Sequence, residues 1–116
     1  MTTSHSPSVL VTGATSGIGQ AIARGFAESG KQVLALGVGE LPSAENNLTY
    51  MSLDVQDGDA VKAVVSSLEN LSVVVNAAGV IRREAEHEPE VFQQVLDINL
   101  TGTMRVCTAA RSALAA

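Results

Sequence analysis

The turn that decides the fold reads Val11-Thr12-Gly13-Ala14-Thr15-Ser16-Gly17-Ile18-Gly19. It joins a short β-branched run, typical of a strand buried on both faces, to an apolar pattern with helical spacing. Glycine here permits a bend too tight for a Cβ, lets the backbone approach a pyrophosphate and lets the helix pack closely on the strand. Free amides at the helix N-terminus then face the anion. The turn therefore predicts a dinucleotide site, and a glycine turn used for packing alone is the alternative.

The rest of the chain alternates strand and helix patterns. Helical spacing predicts that the first helix buries Ile18, Ala21, Ile22 and Phe26, and that Gly30 ends it. Strand patterns follow at 32–36, 48–53 and 71–75, and helical patterns follow Asp57 and begin near Val91. Strands that alternate with helices pair in parallel through right-handed crossovers. The sequence predicts a doubly wound α/β fold, with one domain over residues 9–116 and a disordered tail over residues 1–8.

Composition limits the class of partner. The 116 residues are 46% hydrophobic and 16% charged, which is typical of one compact domain. The net charge of -5 has the wrong sign for binding nucleic acid or an anionic membrane. The single cysteine, Cys107, cannot form an internal disulfide, and we expect it to be buried by packing in a reduced, cytoplasmic protein. No Cys or His spacing predicts a metal site, and no targeting or membrane-spanning pattern is present.

Three further segments accompany the glycine turn in chain order. They are Asp54-Val55 after the third strand, Asn76-Ala77-Ala78-Gly79 after the fourth, and Val95-Leu96-Asp97-Ile98-Asn99-Leu100-Thr101-Gly102 in the last helical pattern. With these segments and its Thr-Gly-x-x-x-Gly-x-Gly spacing, the sequence resembles the short-chain dehydrogenase/reductase family. The resemblance spans residues 9–116 and implies a Rossmann-like sheet with the strand order 3-2-1-4, truncated relative to the family.

The resemblance also implies a role for each segment. The glycine turn would bind the diphosphate of NAD or NADP, Asp54 and Val55 would hold the adenine ring, and Ile81 would face a ribose. Asn99 matches the catalytic asparagine of a family that transfers hydride between a nicotinamide ring and an alcohol or carbonyl carbon. The implied cofactor-binding residues are Thr12, Gly13, Ser16, Gly17, Ile18, Gly19, Gly37, Val38, Asp54, Val55, Asn76, Ala77, Ala78, Gly79 and Ile81.

Three of these positions also have an explanation that needs no ligand. Asp54 could end a strand or cap the next turn, and Asn76 could hydrogen bond to loop amides. Asn99 is a poor helix former among apolar neighbours, so its position needs a local kink or a bound water. The order of the four motifs along the chain favours the family interpretation.

The Tyr-x-x-x-Lys pair of the family is absent from the sequence. A spacing of four places both side chains on one helix face, where the ammonium lowers the pKa of the tyrosine for acid/base catalysis. Tyr50 is the only tyrosine, and the lysines are Lys31 and Lys62. We therefore expect the sequence to cover the cofactor-binding half of an enzyme, and a non-catalytic dinucleotide-binding fragment is the alternative.

The end of the second strand bears on the choice between NAD and NADP. An acid there accepts a hydrogen bond from the ribose 2′-OH, whereas an arginine neutralises a 2′-phosphate. Gly37 stands at the acid position, and neither Ser16 nor Val38 is basic. The charge of Glu40 would repel a 2′-phosphate, so the sequence favours NAD over NADP.

The loop after the fourth strand is charged. Arg82-Arg83 could bind a substrate carboxylate, and the run Gly79-Val80-Ile81-Arg82-Arg83 is similar to that of sugar-acid dehydrogenases of the family, which implies a polyol or sugar-acid substrate. Solvated arginines neutralised by neighbouring glutamates are the alternative. His87 lies in an acidic stretch that predicts a surface loop rather than a metal site. We expect a small-molecule substrate and, as is common in the family, a dimer or tetramer of identical chains.

Overall fold

The computed structural model describes residues 6–115, which form a four-stranded sheet flanked by helices. The strands are β1 (Val9–Thr12), β2 (Val33–Gly37), β3 (Leu48–Ser52) and β4 (Val73–Asn76). The helices are α1 (Gly17–Glu28), α2 (Gly58–Val65), α3 (Pro89–Leu96) and α4 (Gly102–Ala115). A short 3₁₀ helix, Ala85–His87, precedes α3, and a π-helical segment, Asp97–Thr101, joins α3 to α4.

The sheet is parallel throughout, in the order β3-β2-β1-β4. This confirms the predicted doubly wound class and strand order. The register pairs Thr12 with Asn76 at one end of β1 and β4, and Gly37 with Ser52 at the same end of β2 and β3. Because parallel strands end at one edge, the segments that follow all four strands meet at the carboxyl edge of the sheet.

The two faces of the sheet hold separate cores. Val9, Val11 and Val33 pack with Ala23 and Ala27 of α1 on one face. On the other face the inward residues of the strands pack against α2 and α4, through Leu10, Leu34, Leu36, Val61, Val65, Val106 and Ala110. Successive strand residues therefore alternate between the two cores, as a strand buried on both faces requires. All residues of β1 and β2 are buried, whereas β4 is only half-buried.

The predicted buried face of α1 is partly wrong. Ile18 is 79% exposed, and Ala21 is exposed as well. The buried positions are instead Gly19, Ala23 and Ala27, and the predicted Ile22 and Phe26 pack beside them. The helix lies so close to β1 that only small side chains fit between them, which rotates the larger Ile18 away from the sheet. Gly30 has φ +95 and ends the helical region as predicted.

The long last helix is also not continuous, because the π-helical segment interrupts it at Asp97–Thr101. The prediction that Cys107 is buried by packing is wrong, since the residue is exposed. The buried line of α4 is Gly102, Val106 and Ala110, spaced by four residues. Cys107 follows Val106, so one helical step of about 100° carries its side chain out of that line.

The predicted tail lies mainly outside the described residues, since residues 1–5 are not among them. Ser8 donates its backbone N–H to the carbonyl of Gln32 (3.0 Å) and accepts from the backbone N–H of Ser72 (2.8 Å). Within residues 6–115, no helix is both long enough and apolar enough to cross a membrane. The same part of the chain contains no cluster of three His, Cys, Asp or Glu side chains that could hold a metal ion.

The N-cap of α2 provides a direct test of this architecture. The carboxylate of Asp57 accepts from the backbone N–H of Ala60 at 3.1 Å, as the capping pattern predicts. We expect Asp57→Ala to lower the free energy of unfolding by about 1 kcal/mol. Asp59→Ala is the matched control, because Asp59 lies exposed in the first turn and loses only a helix-dipole term of about 0.3–0.5 kcal/mol. Urea unfolding of both variants measures the difference, and equal losses would contradict the cap.

Candidate functional site

A cleft of about 550 Å³ opens at the carboxyl edge of the sheet. Its wall is built by the turn after β1, the end of β2 and the loops after β3 and β4, and α3 and the π-helical segment close one side. The predicted site residues that line it are Gly13, Ser16, Ile18, Gly19, Gly37, Val38, Asp54, Val55, Ala77, Ala78 and Gly79. The predicted residues that do not line it are Thr12, Gly17, Asn76, Ile81 and Asn99. The structure therefore brings all the motifs to one cleft, but some of their residues line its wall and others do not.

The glycine turn needs glycine for two distinct reasons. Gly13 and Gly17 both have φ +61, a backbone conformation that disfavours other residues. A Cβ on Gly19 would stand 2.1 Å from the carbonyl oxygen of Gly13, and one on Gly13 would stand 2.6 Å from the backbone of Ala77. A Cβ on Gly17, in contrast, would meet no described atom within 4 Å. Gly13 and Gly19 thus provide the close packing, and Gly17 provides the turn beside open space.

The start of α1 is suited to an anion. The first amides of a helix have no partner within the helix, and they carry a partial positive charge. Within the described chain the side chain of Ser16 makes no capping hydrogen bond, and the first turn of α1 contains no acidic residue. Ser16, Ile18 and Gly19 lie on the cleft wall. These backbone groups fit a diphosphate, because nothing in the turn neutralises or covers them.

Thr12 and Asn76 lie beneath the cleft rather than on its wall. The buried hydroxyl of Thr12 accepts from the backbone N–H of Ala78 at 3.3 Å, which ties the turn after β1 to the loop after β4. The Nδ2 of Asn76 donates to the Sγ of Cys107 at 3.5 Å, and its buried Oδ1 has no hydrogen-bond partner among the described residues. The alternative in which Asn76 hydrogen bonds to loop amides is therefore wrong, because its partner lies on α4 and not in the loop.

Asp54 forms a local turn and also lies on the cleft wall. Its Oδ1 accepts from the backbone N–H of Gln56 at 2.9 Å, which is the turn-forming bond expected of an aspartate at this position. The residue is nevertheless exposed on the cleft wall. Val55, its neighbour, is buried, and its backbone carbonyl accepts from Nη1 of Arg105 at 2.9 Å. A carboxylate is thus held in a fixed place on the cleft wall.

Asn99 holds the loop after β4 by two hydrogen bonds. Its Oδ1 accepts from the backbone N–H of Val80 at 2.8 Å, and its Nδ2 donates to the carbonyl of Val80 at 2.9 Å. Asn99 is the middle residue of the π-helical segment, so the kink that a poor helix former needed here is present. A Cβ on Gly79 would stand 3.3 Å from Oδ1 of Asn99, which shows how closely the loop approaches. The side chain positions Val80, which itself lines the cleft.

Several cleft residues were not predicted as site residues. Leu53, Gln56, Val80, Gln94 and Ile98 line the wall, as does Thr15. Arg82, which the sequence offered as a ligand for a substrate carboxylate, also lines it. Arg105 was also missed: its Nη2 donates to Oδ1 of Asp97 at 2.6 Å. The pair is eight residues apart, and the intervening π turn changes the helical phase, so ordinary spacing rules gave no signal. Ile81, predicted to face a ribose, is 68% exposed outside the cleft lining.

The parallel sheet, its order and the glycine turn at its carboxyl edge define a Rossmann-like α/β fold. The family model described as short chain dehydrogenase matches residues 7–116. The chain therefore belongs to the short-chain dehydrogenase/reductase family. The family found from the sequence and the fold seen in the structure thus agree.

Named relatives support this assignment and show how much of a family member the chain covers. The chain is 36% identical over 115 residues to a 3beta-hydroxysteroid dehydrogenase of Mediterraneibacter gnavus, covering 85% of this chain and 42% of the relative. It is 32% identical over 107 residues to a 2-dehydro-3-deoxy-D-gluconate 5-dehydrogenase of Pseudoalteromonas atlantica, covering 78% and 42%. A structure of an actinorhodin polyketide ketoreductase variant with NADPH superposes with a TM-score of 0.81 at 33% identity, covering 97% and 49%. The chain thus spans about half the length of the proteins it matches.

Proposed function

We propose that this chain forms the cofactor-binding half of an NAD(P)-dependent oxidoreductase. The observation that carries the proposal is the cleft at the carboxyl edge, where an uncapped helix start and a positive-φ glycine turn stand opposite a fixed carboxylate. The bound dinucleotide would accept or donate the hydride, and a small alcohol or carbonyl compound would be its partner. The chain's own part is to bind the two ends of the dinucleotide and to keep its reactive ring beside the loop after β4.

The individual roles follow from position. The amides of the turn at residues 13–19 would bind the diphosphate, and Asp54 and Val55 the adenine end. The loop at residues 76–81 would lie against the nicotinamide ribose. Asn99 would act on this loop through Val80 and so support a proton relay without itself lining the cleft.

A non-catalytic dinucleotide-binding fragment is the second candidate, and Tyr50 favours it. The hydroxyl of Tyr50 accepts from Nε2 of Gln20 at 3.1 Å, and the residue packs on the α1 face of the sheet. The only tyrosine is therefore not on the cleft wall, where an acid/base group would act. Both candidates require dinucleotide binding. Oxidation of an alcohol by the 116-residue chain alone would show that the acid/base group lies within it.

NAD is favoured over NADP in this proposal. Gly37 and Val38 line the cleft without charge, and Glu40 follows them in the exposed part of the same loop. A carboxylate there disfavours a 2′-phosphate by like-charge repulsion. The NADPH in the ketoreductase structure is a ligand of that protein, and it does not decide between NAD and NADP for this chain.

A polyol or sugar acid is the proposed substrate class, and Arg82 supports it. Arg82 lines the cleft, whereas Arg83 does not. Within residues 6–115 its guanidinium forms no ion pair, although Oε1 of Glu86 accepts from the backbone N–H of Arg82 at 3.0 Å. An unpaired arginine at the mouth of a cleft suits a carboxylate. The 2-dehydro-3-deoxy-D-gluconate 5-dehydrogenase among the relatives is named for a sugar-acid substrate, which agrees with this class.

A homo-oligomer in the cytoplasm completes the proposal. Four large apolar side chains are exposed at a spacing of four residues along α3, the π-helical segment and α4, and they are Phe92, Leu96, Leu100 and Met104. Their exposure supports association of a second copy. The acidic net charge of -5 argues against nucleic-acid or membrane partners.

The Asp54→Asn variant tests the adenosine end of the site. Removing the charge while keeping the shape is expected to raise the Kd for NAD⁺ and for AMP about tenfold, since a hydrogen bond to a charged group contributes about 1.5–3 kcal/mol. Calorimetric titration of the folded chain with each ligand provides the measurement. Asp59→Asn, on the exposed first turn of α2, is the control and should leave both values unchanged. Failure of the unmodified folded chain to bind either ligand would overturn the proposed function.

A further inference from the structure

The side chain of Thr15 covers the end of β2. An ideal Cβ on Gly37 would stand 2.5 Å from Cγ2 and 2.7 Å from Oγ1 of Thr15. The Thr15 hydroxyl donates to the backbone carbonyl of Val38 at 3.3 Å, which holds the side chain over the strand end. Gly37 is buried, and all three residues line the cleft. A side chain on residue 37 and the side chain of Thr15 would therefore compete for the same space.

Rotation of Thr15 cannot relieve this competition. A threonine Cβ has three staggered positions and fills two of them with non-hydrogen atoms. The positions of Cγ2 and Oγ1 both lie within 3 Å of the added Cβ, so every rotamer leaves at least one of them occupied. Only the loss of these two atoms, or a movement of the backbone, makes room. The Cβ of Thr15 itself would be 3.1 Å away, a contact that a shift of a few tenths of an ångström relaxes.

This contact bears on how the cleft distinguishes dinucleotides, and the argument rests on the proposed function. In folds of this class an acid at the end of the second strand binds the ribose 2′-OH and excludes a 2′-phosphate. We propose that Thr15 is a specificity-determining residue, which keeps residue 37 free of any side chain and so keeps that acid out of the cleft. Selectivity for NAD over NADP is then weak in this chain and becomes strong only when Thr15 and Gly37 change together.

A double-mutant cycle with Thr15→Ala and Gly37→Ala tests the steric part without any added charge. Gly37→Ala alone is expected to lower Tm by roughly 5–10 °C, because overpacking against a fixed neighbour displaces backbone. In the Thr15→Ala background the same change should lower Tm by less than half as much. Additive effects, or an unchanged Tm for Gly37→Ala alone, would overturn the proposal.

A second cycle with Gly37→Asp tests the specificity part by calorimetric titration with NAD⁺, NADP⁺ and AMP. Gly37→Asp alone is expected to weaken all three ligands, because the turn that binds them is displaced. The Thr15→Ala/Gly37→Asp protein should bind NAD⁺ as tightly as the unmodified chain or more tightly, and NADP⁺ at least about thirtyfold more weakly. Equal selectivity of the single and double variants would contradict the role of Thr15. If the stability cycle shows coupling but no protein binds a dinucleotide, the proposed function fails while the steric contact stands, so the two failures are distinguishable.

Discussion

The Gly19→Val protein is expected to lose about 3 kcal/mol of unfolding free energy and its affinity for dinucleotides. A Cβ at this position would stand 2.1 Å from the carbonyl oxygen of Gly13. Both partners are backbone, so no side-chain rotation relieves the contact, and α1 must move away from β1. That movement opens the core that Ala23 and Ala27 form with the sheet and shifts the amides at the start of α1.

Gly25→Ala in the same helix is the matched control, and it should raise the free energy of unfolding rather than lower it. Gly25 is exposed, and a Cβ there would meet no described atom within 4 Å. Alanine is a better helix former than glycine by about 0.8–1 kcal/mol, so this variant should gain about that amount. Urea unfolding measures both effects, and titration with NAD⁺ measures the loss of binding. Comparable stability of the two variants would mean that the turn does not pack as described.

The sheet could be predicted in detail because its signals are local. β1 and β2 are short apolar runs followed by turn residues, and strands that alternate with helices leave few arrangements open. The capping role of Asp57 needed only one side chain and the helix that follows it. The order 3-2-1-4 came from the family resemblance, since the apolar runs do not specify which strand is central.

The errors arose where spacing had to stand in for three-dimensional contact. Ile18 has helical spacing with Ile22, but the close approach at Gly19 turns it towards the cleft instead of the core. Cys107 lies in an apolar stretch, but the line through Val106 and Ala110 is the one that meets the sheet. A helical pattern gives the period of a buried face and does not give its phase when several faces are apolar.

The candidate site shows the same limit. Gly13, Gly19 and Asp54 could be found because they form motifs, and they lie on the cleft wall. The bonds between Asn99 and Val80 could not be found, since they join a loop to a helix nineteen residues away. The structure adds that Asn99 hydrogen bonds to Val80 of this loop, and that Val80 lines the cleft.

The ion pair between Arg105 and Asp97 carries the second large prediction. Nη2 of Arg105 donates to Asp97 at 2.6 Å and Nη1 donates to the carbonyl of Val55 at 2.9 Å, and both charged side chains are about 70% buried. Arg105 thus joins the loop after β3 to the π-helical segment that carries Asn99. A Cβ on Gly102 would stand 2.6 Å from Cγ2 of Val55, so packing reinforces the same junction.

Arg105→Gln is therefore expected to lower the free energy of unfolding by about 2 kcal/mol, since the carboxylate of Asp97 and the carbonyl of Val55 both lose a charged donor. It should also raise the Kd for NAD⁺ several-fold, because Val55 lines the cleft and loses a contact that fixes it. Arg111→Gln is the control, since Arg111 is exposed on the same helix and should change neither quantity.

A double-mutant cycle with Asp97→Asn separates the two bonds of Arg105. If the ion pair carries the stability, the two substitutions together should cost about as much as Arg105→Gln alone. If the bond to Val55 controls the ligand, Asp97→Asn should reduce stability with a smaller effect on the Kd for NAD⁺, because Arg105 keeps its donor to the Val55 carbonyl. Additive losses of stability, or equal effects of Arg105→Gln and Arg111→Gln, would show that this junction does not position the cleft.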